Sequence, residues 1–213
     1  MILSLFRFFS PLLIFLSFQS SAKEKVLWLV EDKTENLNLL DANSPNNSAA
    51  TAVEREALSA LKDYDVEVKR VSIKRINYLM KTNTNVCAGN RAKLKERERY
   101  SHYSYPQSFY LTHKLYRFNQ ATALPDTLFN DQGDLISIKA LFDNNPQDHI
   151  GIVDGVSFGA YLDREISQLD PENIHYRGGI HRVSGLESML YAGRFDYLLA
   201  LTVDMNPTEL QKM

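Results

Sequence analysis

The sequence predicts an α/β protein of two lobes, each a mostly parallel sheet flanked by helices. Three observations carry this expectation. Short apolar runs of strand length alternate with stretches of helical periodicity, giving β-α-β-α-β in each half of the chain. Hydrophobic residues make up 44% of the 213, enough for a packed core. Between the halves lies a charged and aromatic stretch, residues 94–106 (LKERERYSHYSYP).

Residues 1–22 read as a secretory signal. Arg7 is their only charge, an apolar run broken by Pro11 follows, and Ser20-Ser21-Ala22 supplies small residues for a peptidase. The alternative, an uncleaved anchor, requires a ~20-residue span that this run does not reach. The mature chain is therefore expected in the periplasm, with no membrane span after signal cleavage.

The first lobe is expected over residues 23–109. Residues 25–30 (KVLWLV) form a buried strand ending at Glu31-Asp32, and the Asn-rich residues 35–48 form a loop. Residues 49–61 place Val53, Ala57, Leu58 and Leu61 at helical spacing, and residues 63–71 alternate as a strand. Ser72 caps a helix that Asn83, Asn85 and Gly89 bring to an end around a short strand at 86–88.

The second lobe is expected over residues 110–213, with an incomplete return to the first. Residues 109–118 are extended and 136–142 helical. The strand at 149–153 leads through the turn Gly155-Val156-Ser157-Phe158-Gly159 into a helix at 160–169. Residues 173–176 read as a strand, 184–191 as a helix ended by Gly193, and 195–201 (FDYLLAL) as a strand.

A net charge of −2 is too mild to steer the chain toward nucleic acid or an anionic membrane. Cys87 is the single cysteine, so no internal disulfide forms and the residue reads as a small buried hydrophobe. The five histidines lack metal-ligand spacing, and there is no phosphate-cradling glycine motif. No cofactor is expected.

Within residues 94–106, an arginine such as Arg97 can grip a carboxylate through two parallel hydrogen bonds, which a lysine cannot. The plainer reading is a surface ion pair with Glu96 or Glu98. Gly155 and Ser157 lie on a turn feeding a helix N-terminus, where free N–H groups and the positive dipole end favour an anion. Ser157 as a mere helix cap is the plainer alternative. Trp28 and Glu31 end the first strand, where open α/β sheets place ligands, and Asn90 is either a polar contact or an ordinary turn former beside Gly89. The turn also fits the Gly-x-Ser-x-Gly elbow of serine hydrolases, with Asp170 and His175 or His181 following Ser157. Those partners fall within one helix and loop of the serine, whereas that fold draws them from separate later strands.

Leu94, Arg97, Tyr103, Ser104 and Pro106 match a Thr-x-x-Arg then Phe-Ser-x-Pro pattern, with Leu94 for Thr and Tyr103 for Phe. The strand, glycine-rich turn and helix over 150–163, and Gly193-Arg194-Phe195-Asp196 before a strand, match in order and spacing. On these motifs the chain resembles the extracellular solute-binding proteins of family 3, periplasmic binding proteins with a type II fold. The resemblance implies two lobes closing by hinge motion on a small-molecule solute, with Arg97 on its carboxylate and Gly155 and Ser157 opposite. It also implies a transporter or receptor as partner and a monomeric, non-catalytic protein.

The chain departs from the family pattern in several places. Val156 replaces a hydroxyl donor, Leu201 stands where amino-acid binders carry an aspartate for the ligand ammonium, and Asn90 and Ala92 replace Ser and Thr. The chain ends at Met213 soon after its last strand, so the second crossing and the C-terminal helices of the family are expected to be missing. The expected solute is therefore polar or anionic rather than an ordinary α-amino acid. The alternatives are a ligand-less interaction or sensory module, and a hydrolase acting through Ser157.

Overall fold

The computed structural model describes residues 22–33, 38–41, 43, 48–107, 109, 113–118 and 121–201, and the backbone of 210–212. The expected signal segment lies outside the described residues apart from Ala22, as does most of the expected Asn-rich loop.

The first lobe is a three-stranded parallel sheet. Its strands are β1 (Glu24–Glu31), β2 (Tyr64–Val71) and β3 (Val86–Ala88), in the order β2-β1-β3. Two helices connect them, α1 (Ala49–Ser59) and α2 (Ile73–Thr82). Both start where the sequence supplies a cap. Ser48 accepts the Thr51 N–H at 3.2 Å, and Ser72 accepts the Arg75 N–H at 3.3 Å. Ile76 and Leu79 of α2 sit three residues apart and bury against Leu29 of β1. By contrast, α1 buries Thr51 and Glu54.

The second lobe holds five strands, β4 (His113–Phe118), β5 (Ile150–Val153), β6 (Ile174–Arg177), β7 (Tyr197–Leu201) and β8 (Leu210–Lys212), in the order β6-β5-β7-β4-β8. Its helices are α3 (Ile138–Asn144), α4 (Ala160–Ser167) and α5 (Arg182–Tyr191). β5 runs parallel to β6 and β7, while β4 runs antiparallel to both β7 and β8. The period of a strand reveals its faces but not its direction, so this reversal has no local signal.

β7 shows why its sequence is continuously apolar. Tyr197 and Leu199 face one core with Leu141, Ile150 and Ile152. Leu198 and Ala200 face a second core with Tyr116, Leu186 and Leu190. Alternate side chains project to opposite faces, so a strand covered on both sides has no polar position. Ile73 of α2 is 4% exposed and packs into this second core, which joins the lobes through an apolar contact.

Candidate functional site

The stretch between the lobes folds as a single 3₁₀ turn, Arg97–Arg99, started by the Leu94 carbonyl, which accepts the Arg97 N–H at 2.9 Å. That geometry turns one side chain inward. Arg97 is 7% exposed, while Lys95, Glu96, Glu98 and Arg99 face water. Its guanidinium donates to the Ala92 carbonyl at 3.2 Å, which also accepts the Tyr103 hydroxyl at 3.2 Å. Glu98 pairs with Lys93 at 3.0 Å instead. Among the described residues no carboxylate lies within ion-pair reach of Arg97.

Beside it, Arg91 donates to Glu31 at 3.0 Å and to Asn77 at 2.9 Å. Burial pushes the Arg91 pKa down. The Glu31 carboxylate opposes that shift, and the positive charge of Arg97 adds to it. The other oxygen of Glu31 accepts Arg182, the first residue of α5, at 2.7 Å. Arg182 also donates to the Asp32 carbonyl at 3.3 Å. A second pair of reversed polarity, Lys74 to Asp154 at 2.8 Å, crosses the same seam.

Between these pairs lies a gap of about 60 Å³ lined by Asp32, Ser72, Ile73, Lys74, Asp154 and Arg182, with Gly178 and Gly179. Gly155 closes one side of the seam. Its φ is +76°, and a Cβ there would sit 3.3 Å from both Ile73 and Lys74, so a side chain would be strained and would crowd the first lobe.

Trp28 and Asn90 converge on a residue that sequence reasoning missed. Trp28 Nε1 donates to one oxygen of Glu54 at 2.8 Å, and Asn90 Nδ2 donates to the other at 2.8 Å. Asn90 adopts φ +52°, which an Asn tolerates, and Gly89 leaves room for the carboxylate. Burial raises the Glu54 pKa above its usual range, and the two hydrogen bonds oppose that rise. The available signal was positional, because residue 54 lies three after Thr51 and four before Leu58 on the inward face of α1.

Ser157 lies apart from Glu31 and the arginines. Its hydroxyl donates to Asp163 at 2.5 Å, and the Phe158 N–H donates to the same carboxylate at 2.7 Å. Asp163 thus caps the turn that feeds α4. A cavity of about 210 Å³, lined by Ile152, Phe158, Asp163, Ile166 and Tyr176 among others, adjoins this turn. The three groups of the hydrolase alternative do not meet. Asp170 accepts the Glu172 N–H at 3.0 Å, His175 stacks on Phe195 at 5.9 Å, and His181 is exposed at the start of α5.

The arrangement has a class. Two α/β lobes meet across a polar seam, and the carboxyl ends of β1 and β5 both lie at it. This is the fold of the two-lobed binding proteins of the periplasm and cell exterior. No family model matches the chain, and no curated protein matches it by sequence.

Solved structures do match. An ancestral arginine-binding protein bound to glutamine superposes with a TM-score of 0.57 at 13% identity, over 90% of this chain and 79% of that one. The AvGluR1 ligand-binding domain in complex with glutamate gives 0.58 at 15% identity, over 90% and 77%. A structure described for glutathione import via GshT and the cystine ABC importer TcyBC of Streptococcus mutans gives 0.58 at 14%, over 90% and 76%. At these identities the likeness is one of fold. Among the described residues no helix is long and apolar enough to cross a membrane.

Proposed function

We propose that this chain is a non-catalytic, periplasmic solute-binding protein. It captures a small anionic or polar solute between its lobes and delivers it to a transporter or presents it to a receptor. On this reading the lobes divide at residues 109 and 110, and residues 1–22 direct export.

The observation that carries the reading is Arg97. A guanidinium that is 7% exposed and bonded to a backbone carbonyl has, among the described residues, no anion to offset its desolvation. A solute carboxylate supplies that anion through paired, charge-assisted hydrogen bonds. Arg91 and Arg182 share Glu31, and Lys74 faces Asp154 with Asp32 beside the gap, so the charges of the seam balance and Arg97 adds a positive charge beyond them. Leu201, at the end of β7, offers nothing to an ammonium, which favours an anion over a zwitterion. Gly155 contributes to the opposing wall by its close approach to Ile73 and Lys74, and Ser157, held by Asp163 apart from the arginines, shapes the turn that carries Gly155. Trp28 and Asn90 act behind the wall by holding Glu54, and Glu31 faces the seam directly.

The test is a thermal-shift and calorimetric screen of the purified protein with dicarboxylates, amino acids and inorganic anions. A solute at 100 times its Kd stabilises the folded state by about 2.7 kcal/mol. Arg97→Ala and Arg97→Lys abolish that stabilisation while circular dichroism stays unchanged. Affinity retained in both variants removes Arg97 from the site. A screen in which no solute stabilises the protein favours the ligand-less interaction module, a reading supported by the closure of Glu31 on Arg91 and Arg182.

A further inference from the structure

We propose that Glu31 is a built-in carboxylate that straps the lobes together through Arg182 and competes with a solute anion for that arginine. Its two oxygens are divided between the lobes. One accepts Arg91 of the first lobe at 3.0 Å, and the other accepts Arg182 of the second at 2.7 Å. The three side chains are 15%, 12% and 11% exposed, so water screens these contacts weakly. Arg182 is further tied to the end of β1 by its bond to the Asp32 carbonyl.

Among the described residues, the other ionic contact across the seam is a weaker candidate. The Lys74 side chain is 70% exposed, and exposed pairs contribute little. Ile73 adds apolar contact but no anion specificity.

The strapped state leaves a seam gap of about 60 Å³, room for roughly two waters. Ordinary solute pockets begin at roughly 300 Å³. A solute therefore enters this seam after the lobes part. Parting breaks Glu31–Arg182 and spares Glu31–Arg91, because Arg91 and Glu31 belong to one lobe. The freed Arg182 guanidinium then takes either water or the anion of the incoming solute. The competition rests on the solute-binding reading above, whereas the strap itself does not.

The experiment separates the two. Small-angle X-ray scattering without solute is compared for the wild type, Glu31→Gln, Arg182→Gln and the double variant, with circular dichroism as the folding control. Both single variants are expected to show a larger radius of gyration than the wild type. The double variant is expected to expand no further than Arg182→Gln, because the Glu31–Arg182 contact and the Arg182–Asp32 bond are both already lost in that single variant. Either single variant that is folded suffices for the comparison. Radii equal to the wild type's in folded variants overturn the strap.

Calorimetry with succinate as the probe forms the second arm. Glu31→Gln is expected to bind it about tenfold more tightly than the wild type, the scale of an ordinary coupling between sites. Equal affinities in the two proteins overturn the competition. Expanded variants that bind no succinate uphold the strap and overturn the competition for this dicarboxylate.

Discussion

Replacing Trp28 by Phe removes the indole N–H that donates to Glu54 at 2.8 Å and keeps most of the ring packing. Glu54 is 4% exposed and then holds its carboxylate on Asn90 alone of the two side-chain donors described. A hydrogen bond to a buried charged group contributes about 2 kcal/mol. For a chain of this length each kcal/mol moves the melting temperature by about 2–4 °C, so the variant should melt roughly 4–8 °C lower at neutral pH.

The dependence on pH has a definite sign. Burial raises the folded pKa of Glu54 above its ordinary value, so its contribution is fully present below that value and is lost as pH rises through the folded pKa. Trp28 opposes the rise, so Trp28→Phe moves the folded pKa further up and widens the loss at neutral pH. The gap between wild type and variant should therefore be widest near pH 7 and narrow toward pH 4. Far-UV circular dichroism melts across that range measure it, since Trp28 is the chain's one tryptophan and its fluorescence goes with it. A gap that stays constant with pH, or no gap, refutes the assignment of Glu54 as a charge held by Trp28.

Two further perturbations test the frame that carries the seam. Gly151→Ala would place a Cβ 2.4 Å from the ring of Phe195, which is 4% exposed and stacked on His175. Overpacking of that kind costs about 1–3 kcal/mol, so the urea midpoint should fall, and an unchanged midpoint contradicts the packing described. Ser72→Ala removes the cap of α2 and should cost about 1 kcal/mol in urea unfolding, with Ser72→Asp restoring most of it. Equal losses in the Ala and Asp variants would show that the hydroxyl's capping bond is not what matters there.

Glu54 also bears on the seam from a distance. It fixes Asn90, and Asn90 precedes Arg91 and the turn that buries Arg97. Helix α1 thus sets the loop carrying both arginines through a carboxylate on its inward face.

Much of the frame was legible in the sequence because the information is local. Caps at Ser72, helical spacing in α2 and the apolar runs of β5 and β7 depend on residues within one or two turns of each other. Arg97 is singled out by its place in the Thr-x-x-Arg pattern, since its chemistry is that of Arg99 two residues on. The burial of Arg97 was not legible, because five consecutive charges look alike in sequence and only the 3₁₀ turn selects one of them to face inward. The partners of Glu31 were illegible altogether, since Arg91 lies 60 residues away and Arg182 lies 151. The sequence by itself determined which segments became strands and helices, through period and capping, except for β8, whose pairing with β4 it did not reveal. The direction of β4, the convergence of Trp28 and Asn90 on Glu54, and the sharing of Glu31 between two lobes were decided by tertiary structure, because each depends on where distant segments dock.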